Sequence, residues 1–224
     1  MRRSWMDLLS RPLTKAFSEK DDKLSIGYYF MDLNAKVTHR FSNRSKIDLS
    51  IYHGKDSWDV KQDLNDSKSE GYQEGNSYDR EITKSQLDWG NFNVALNWNY
   101  LFSPKLFSNF TAVYSHNRSK LYSLDDDRNI YPQTHKEEVW EHLEHGYTST
   151  INDVGYRTAF DFRPNPHHHI RFGHDYMLHL FRPQTAMQLD YAGNGDAKMD
   201  TISVNSGNRH VAHEWSAYAE DEIV

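Results

Sequence analysis

The stretch Tyr28-Tyr29-Phe30-Met31-Asp32-Leu33-Asn34-Ala35-Lys36-Val37-Thr38-His39-Arg40-Phe41 decides how the chain is read. Its odd positions are Tyr29, Met31, Leu33, Ala35, Val37, His39 and Phe41, and six of these seven are apolar or aromatic. From Asp32 to Arg40 its even positions are all polar. Successive side chains of an extended backbone point to opposite faces, so a two-residue period specifies a strand with one greasy side and one wet side. A second stretch, 85–102, carries the same period. There Phe92, Val94, Leu96, Trp98, Tyr100 and Phe102 oppose Asn91, Asn93, Asn97 and Asn99. No segment shows helical spacing of apolar residues of comparable quality. The chain reads as all-β.

Working outward, weaker strands are expected near 1–9, 46–58, 106–118, 150–163, 168–181 and 212–223, giving eight in all. Ile47, Leu49 and Ile51 form one apolar face. Val154, Tyr156, Phe160 and Phe162 form another, opposed by Asp153, Arg157, Asp161 and Arg163. The links 42–45, 103–105 and 164–166 are short and built of Ser, Asn and Pro, the residues of tight turns. The links 10–24, 62–84, 119–146 and 182–211 are long and polar. Short and long links alternate, which puts every tight turn at one end of an antiparallel up-and-down sheet. Phe41, Phe102 and Phe162 each precede a short turn, at intervals of 61 and 60 residues. One period is thus a turn, a rising strand, a loop and a falling strand.

Composition narrows the function classes. The 224 residues include no cysteine, which removes disulfides, thiolate catalysis and Cys-based zinc sites. A net charge of −6 argues against a nucleic-acid partner, which needs clustered Lys and Arg. No run approaches the roughly 18 apolar residues of a membrane helix. Alternation alone fits a soluble sandwich or a lipocalin-like barrel as well as a membrane barrel. Three features favour the membrane. Strand 25–41 has 17 residues, against a usual ~5–6 in soluble proteins. Short turns at one end and long loops at the other match outer-membrane barrels. Aromatics also gather where membrane surfaces would cut the strands: Phe41, Phe102, Phe107 and Phe162 at the turn end, Trp58 and Trp89 toward the loops. The expected architecture is a segment of an antiparallel up-and-down transmembrane β-barrel. Its lumen is lined by Asp32, Asn34, Lys36, Asn91, Asn93, Asn97, Arg157 and Asp161.

Three phrases carry a family resemblance: 28–36 quoted above, Asn99-Tyr100-Leu101-Phe102-Ser103-Pro104-Lys105-Leu106-Phe107, and Ala217-Tyr218-Ala219-Glu220-Asp221-Glu222. Their order and spacing resemble the barrel of TonB-dependent outer-membrane receptors, especially those of Bacteroidetes-type bacteria, over nearly the whole chain. The resemblance implies an outer-membrane location and a scarce nutrient bound at extracellular loops. It also implies import driven by a TonB-type energising complex acting on an N-terminal plug. No signal peptide, plug or closing aromatic strand is recognisable, so the expectation is an internal piece of such a barrel. The rivals are a small self-contained outer-membrane barrel, acting as an adhesin or structural protein, and a soluble β-rich carbohydrate-binding domain.

Candidate sites are sparse. Tyr72 and Trp140, placed in long loops, offer aromatic faces to a ligand. The acidic link 119–146 holds seven Asp and Glu against three Lys and Arg and is expected to be a solvated loop. His167-His168-His169, with His174 and His179, suggests a metal, but adjacent strand residues face opposite ways and cannot converge. Neither a cofactor nor a metal is expected. No nucleophile elbow, zincin motif or phosphate loop is present, and the chain is expected not to be an enzyme.

Overall fold

The computed structural model describes residues 2–4, 6, 10, 12, 14, 23–65, 76–192, 198–205 and 209–223. The strands are β1 (Arg2–Arg3), β2 (Lys23–Ser42), β3 (Ser45–Asn65), β4 (Tyr78–Ser103), β5 (Leu106–Tyr131), β6 (Lys136–Asn165), β7 (His168–Ala192), β8 (Lys198–Asn205) and β9 (His210–Ile223). All pair antiparallel in one sheet whose order follows the chain from β1 to β7. The far edge of β7 is shared, β8 pairing with its second half and β9 with its first. The sheet is open. This is the up-and-down all-β architecture read from the alternation.

Several boundaries differ from expectation. The strand expected over 1–9 shrinks to Arg2–Arg3, which pair with Asp32 and Met31. Ser4 then ends it, its hydroxyl accepting the Met6 amide at 3.1 Å in the manner of a helix cap, and Met6, Ser10, Pro12 and Thr14 are helical. The supposed loop 119–146 is nearly all strand: β5 runs to Tyr131, β6 starts at Lys136, and only four residues turn the corner, with His135 at φ 52°. The supposed loop 62–84 contributes to β3 and β4, and 182–211 contributes the end of β7 and all of β8. Pro183 has no N–H to donate to a ladder, and it lies where β7 changes register against β6, between Arg182 and Thr185. Seven long strands result rather than eight.

The tight turns are closed by side chains at equivalent positions. Ser42 Oγ accepts the Arg44 amide at 3.1 Å, and Ser103 Oγ accepts the Lys105 amide at 3.2 Å. Asn165 Oδ1 accepts the amides of His167 and His168 at 2.9 and 3.1 Å. Such Asx- and Ser-turn bonds satisfy donors that the ladder leaves over.

Register then fixes the faces. Rows run Ile51–Val94–Tyr114–Val154–Leu178–His213 and Ile47–Trp98–Phe110–Thr158–His174–Ala217 on one side. That side carries an aromatic ladder. Trp98 meets Phe110 at 5.3 Å between ring centres, Phe110 meets Phe160 edge-on at 5.7 Å, and Phe160 stacks on Phe172 at 4.9 Å. Tyr176 lies 4.4 Å from Trp215. Each such pair is worth ~0.5–1.5 kcal/mol beyond area. Yet the ladder is not covered. Leu124 is the one buried large hydrophobic among the described residues, while Val37, Phe41 and Trp215 are 63%, 62% and 64% exposed. The described strands form a single layer.

On the opposite face Gly173 pairs with Tyr218, whose ring lies across it. A Cβ at Gly173 would stand 2.5 Å from the Thr158 carbonyl oxygen and 2.6 Å from Tyr218 Cε1. Gly173→Val is therefore expected to push the ring aside and loosen β9, costing ~1–3 kcal/mol. Faster amide exchange across 210–223 than in the unaltered chain checks this, and unchanged exchange there would contradict it.

Candidate functional site

The polar face is a continuous side-chain network. All eight residues expected to line a lumen lie on it, as the rows Asp32–Gly54–Asn91–Asn117, Asn34–Tyr52–Asn93–Ser115–Asp153 and Asn97–Thr111–Arg157–Asp175 show. Lys36 joins through Ser50, and Asp161 through Arg171. Tyr52 donates to Asp32 at 3.2 Å, and Asn97 donates to Asn109 and Thr111 at 3.2 and 3.1 Å. Arg157 donates to Asp175 at 2.7 Å, and Asp161 meets His169 Nε2 at 2.7 Å. Lys46 and Lys36 both approach Asp48, at 2.9 and 3.9 Å. Several charges on this face meet an opposite charge, across the strands for Arg157–Asp175 and along one strand for Lys46–Asp48.

The aromatic positions divide. Phe41, Phe102 and Phe162 lie on the apolar face beside the turns, with His39–Phe41 and Tyr100–Phe102 ring contacts at 4.5 and 4.8 Å. Phe107, Trp58 and Trp89 do not join them. Phe107 pairs with Asp161, Trp58 with Tyr28 and Leu87, and Trp89 with Asp56 and Ser119, all on the polar face. The reason is parity: each stands an odd number of residues from the apolar positions of its own strand.

The histidine run splits as alternation requires. His168 Nδ1 lies 2.6 Å from Asp221, while His169 on the other face reaches Asp161. His179 contacts Asp153 at 2.8 Å and Glu214 at 3.4 Å. Among the described residues no group of three or more His, Asp or Glu converges as a cation site.

The most built-up region is the long β5–β6 hairpin end, which sequence reading placed in a loop. Asp126 is only 2% exposed. Arg128 grips it through Nε and also through Nη2 at 3.0 Å, and His142 Nδ1 meets it at 2.6 Å. Burial alone would raise the Asp126 carboxyl, but the hydrogen bonds from Arg128 and His142 outweigh it and hold the carboxyl below the usual range. Asp63 is held down likewise by a two-pronged bond from Arg80, both contacts at 2.9 Å, against a smaller opposing effect of burial. Asp127 goes the other way, pushed up by burial and then by Glu81 and Glu141.

Trp140 is in β6, not in a loop. Asp127 pairs with Glu141 and Arg128 with Val139, so Trp140 is the extra residue of a β-bulge and is 54% exposed. Bulges re-aim side chains at sheet rims and binding sites. Here Trp140 borders a cleft of about 650 Å³ shared with Leu64, Arg80, Glu81, Asp127 and Glu141. An aromatic plane beside carboxylates and guanidinium groups suits a polar or cationic ligand. Tyr72, the other ligand candidate, lies outside the described residues. The signal missed in the sequence was the Asp-x-Arg spacing of 126 and 128, which puts both side chains on one strand face. Comparisons with protein-family models, with curated proteins and with solved structures each found no match.

Neighbouring carboxylates should respond oppositely to neutralisation. Asp126→Asn unpairs Arg128 and should cost ~1–3 kcal/mol at neutral pH; Asp127→Asn relieves repulsion and should gain ~0.5 kcal/mol. Because Asp63 and Asp126 have folded pKa values below their unfolded ones, their stabilisation is complete above about pH 4 and fades as pH falls through the lowered values. Hydrogen exchange of amides 122–131 and 136–146, measured at pH 7 and near pH 3, checks both signs.

Proposed function

We propose that this chain is a section of the wall of a transmembrane β-barrel in a bacterial outer membrane. The observation that carries the reading is the height of the apolar face. On β4 it runs from Phe92 to Phe102, ten steps of ~3.3 Å, which is ~33 Å along the strand or ~25 Å at a tilt near 40°. The next rows toward the hairpin ends are His53–Phe92–His116–Asn152–Leu180 and then Lys55, Gly90, Arg118, Thr150 and Arg182. On all five strands the apolar face gives way to polar residues within these two rows, as expected of strands that leave the lipid. A soluble β-rich carbohydrate-binding domain would need a second layer over Trp215, Phe41 and Val37, and none is among the described residues.

Within that wall the family resemblance supports a receptor and transporter of the TonB-dependent kind. The hairpin ends beyond the band, with the Trp140 cleft, take up a scarce nutrient, and the hydrogen-bonded polar face lines its route inward. The energising partner acts through a plug belonging to other parts of the same receptor. A self-contained outer-membrane barrel shares the wall but needs no cleft at the hairpin ends.

The chain should fold in detergent micelles with heat-modifiable gel mobility. There, Leu96→Arg near mid-band should cost ~2–4 kcal/mol, and Ala95→Arg, one residue away on the polar face, much less. A monodisperse folded state in plain buffer, or equal costs for the two substitutions, would overturn the membrane reading.

A further inference from the structure

The geometry points to a seat for the phosphate of an anionic lipid headgroup along the row that closes the apolar band, an inference that rests on the membrane reading. In this row a cation stands on every second strand: Arg3 on β1, Lys55 on β3, Arg118 on β5 and Arg182 on β7, separated by Met31, Gly90 and Thr150. Strands ~4.8 Å apart space these cations by ~10 Å. All four are exposed, as is Lys120 one row farther from the band. The row itself holds no carboxylate. Asp88, beside Lys120, is already engaged by Ser57 at 2.5 Å and Gln86 at 2.8 Å, and Asp59 lies a row beyond.

The contrast with the polar face is the argument. There Lys46, Arg157 and Arg171 each meet a carboxylate within 3 Å. Lys55, Arg118, Lys120 and Arg182 make no ion pair among the described residues; Lys55 instead lies 5.8 Å from the centre of the Tyr29 ring. Apart from Asp88 opposite Lys120, the sheet offers them no carboxylate, which leaves Lys55 and Arg118 open to an anion from outside.

Shape agrees with charge. Gly90 leaves a dent between Lys55 and Arg118, where an added Cβ would meet only the Gly54 carbonyl oxygen, at 3.4 Å. The surrounding cleft of about 440 Å³ is bordered by His53, Lys55, Phe92, His116, Arg118 and Lys120, and by one carboxylate, Asp88, at its Lys120 end. Its floor passes through Phe92 into the band at Val94 and Leu96. A phosphate in the dent therefore has acyl chains lying down the apolar face, which selects a lipid over free phosphate.

The test uses the chain folded in phosphatidylcholine micelles, titrated with phosphatidylglycerol while bound lipid is counted by native mass spectrometry. Phosphatidylglycerol should be retained in preference to phosphatidylcholine. Lys55→Gln with Arg118→Gln should weaken that preference ~25-fold, about fivefold per cation. Gly90→Phe should weaken it with the charge intact, and Arg118→Lys should largely keep it. Equal retention of both lipids by the unaltered chain, or no effect of the double substitution, overturns the proposal. Displacement by inorganic phosphate at matching concentration overturns the lipid as source. Heat-modifiable mobility in the same micelles reports separately on the membrane reading, so a chain that shows it without lipid preference loses only this inference.

Discussion

The structure depends on interstrand register. With a side-chain period of two, a slip of one residue would exchange the aromatic ladder for the asparagine network on the whole of a strand. Three turns hold the register at one end, each through a side-chain acceptor on its first residue. Ser42, Ser103 and Asn165 recur at nearly the interval of the phenylalanines that precede them. The five register shifts fall beside these turns or out along the polar extensions, at Arg40/Ser42, Leu101/Ser103, Phe162/Asn165, Asp127/Arg128 and Thr148/Thr150. Between them the ladder is unbroken across the apolar band. A bulge leaves a backbone group unpaired, which water tolerates and hydrocarbon does not.

A single layer changes what stabilises the chain. Ordinary domains bury one face of each sheet against another layer, whereas here Leu124 is the sole buried large hydrophobic of the described residues. Lateral contacts do the holding: backbone pairing, rings along the apolar rows, and amide and ion-pair bonds along the polar rows. On the membrane reading the two faces use different chemistry because their surroundings differ. Rings gain from lateral packing in any apolar medium, while the Asn97–Asn109–Thr111 bonds and the Arg157–Asp175 pair keep the polar side ordered in contact with water.

The sequence made the banded part of the sheet legible and hid the rest, for one physical reason. Between Leu33 and Phe41, or Phe92 and Phe102, one face is apolar and the other polar, so alternation announces the strand. Beyond the band both faces are wet, and 119–131 and 136–146 are strand without any hydrophobic period. Pairing with each other and with β4 and β7 makes them so. The eight polar-face positions were readable from parity, and parity also separates Phe107, Trp58 and Trp89 from the other aromatics when counted strand by strand. Trp140 could not be placed because its position depends on a bulge, which only the opposing strand defines. Tyr72 lies outside the described residues.

The edges make a demand independent of the faces. β9 is exposed along all 14 residues and, among the described residues, pairs only with β7. On the other side the described residues that meet β2 are Arg2 and Arg3 of β1 and the Ser4 amide, which donates to the Phe30 carbonyl. Among the described residues each outer edge thus presents unpaired N–H and C=O groups along the apolar band, beside Trp215 on one side and Leu33 and Val37 on the other. In water such edges invite pairing with other chains. In lipid each unpaired group costs several kcal/mol, and a spanning sheet has to close. If the apolar face lies against hydrocarbon, the ladder must therefore continue past both β2 and β9, through further strands or by pairing these two edges with each other. On the membrane reading, then, the band sets what covers the face, and the open edges require a partner for each end of the ladder.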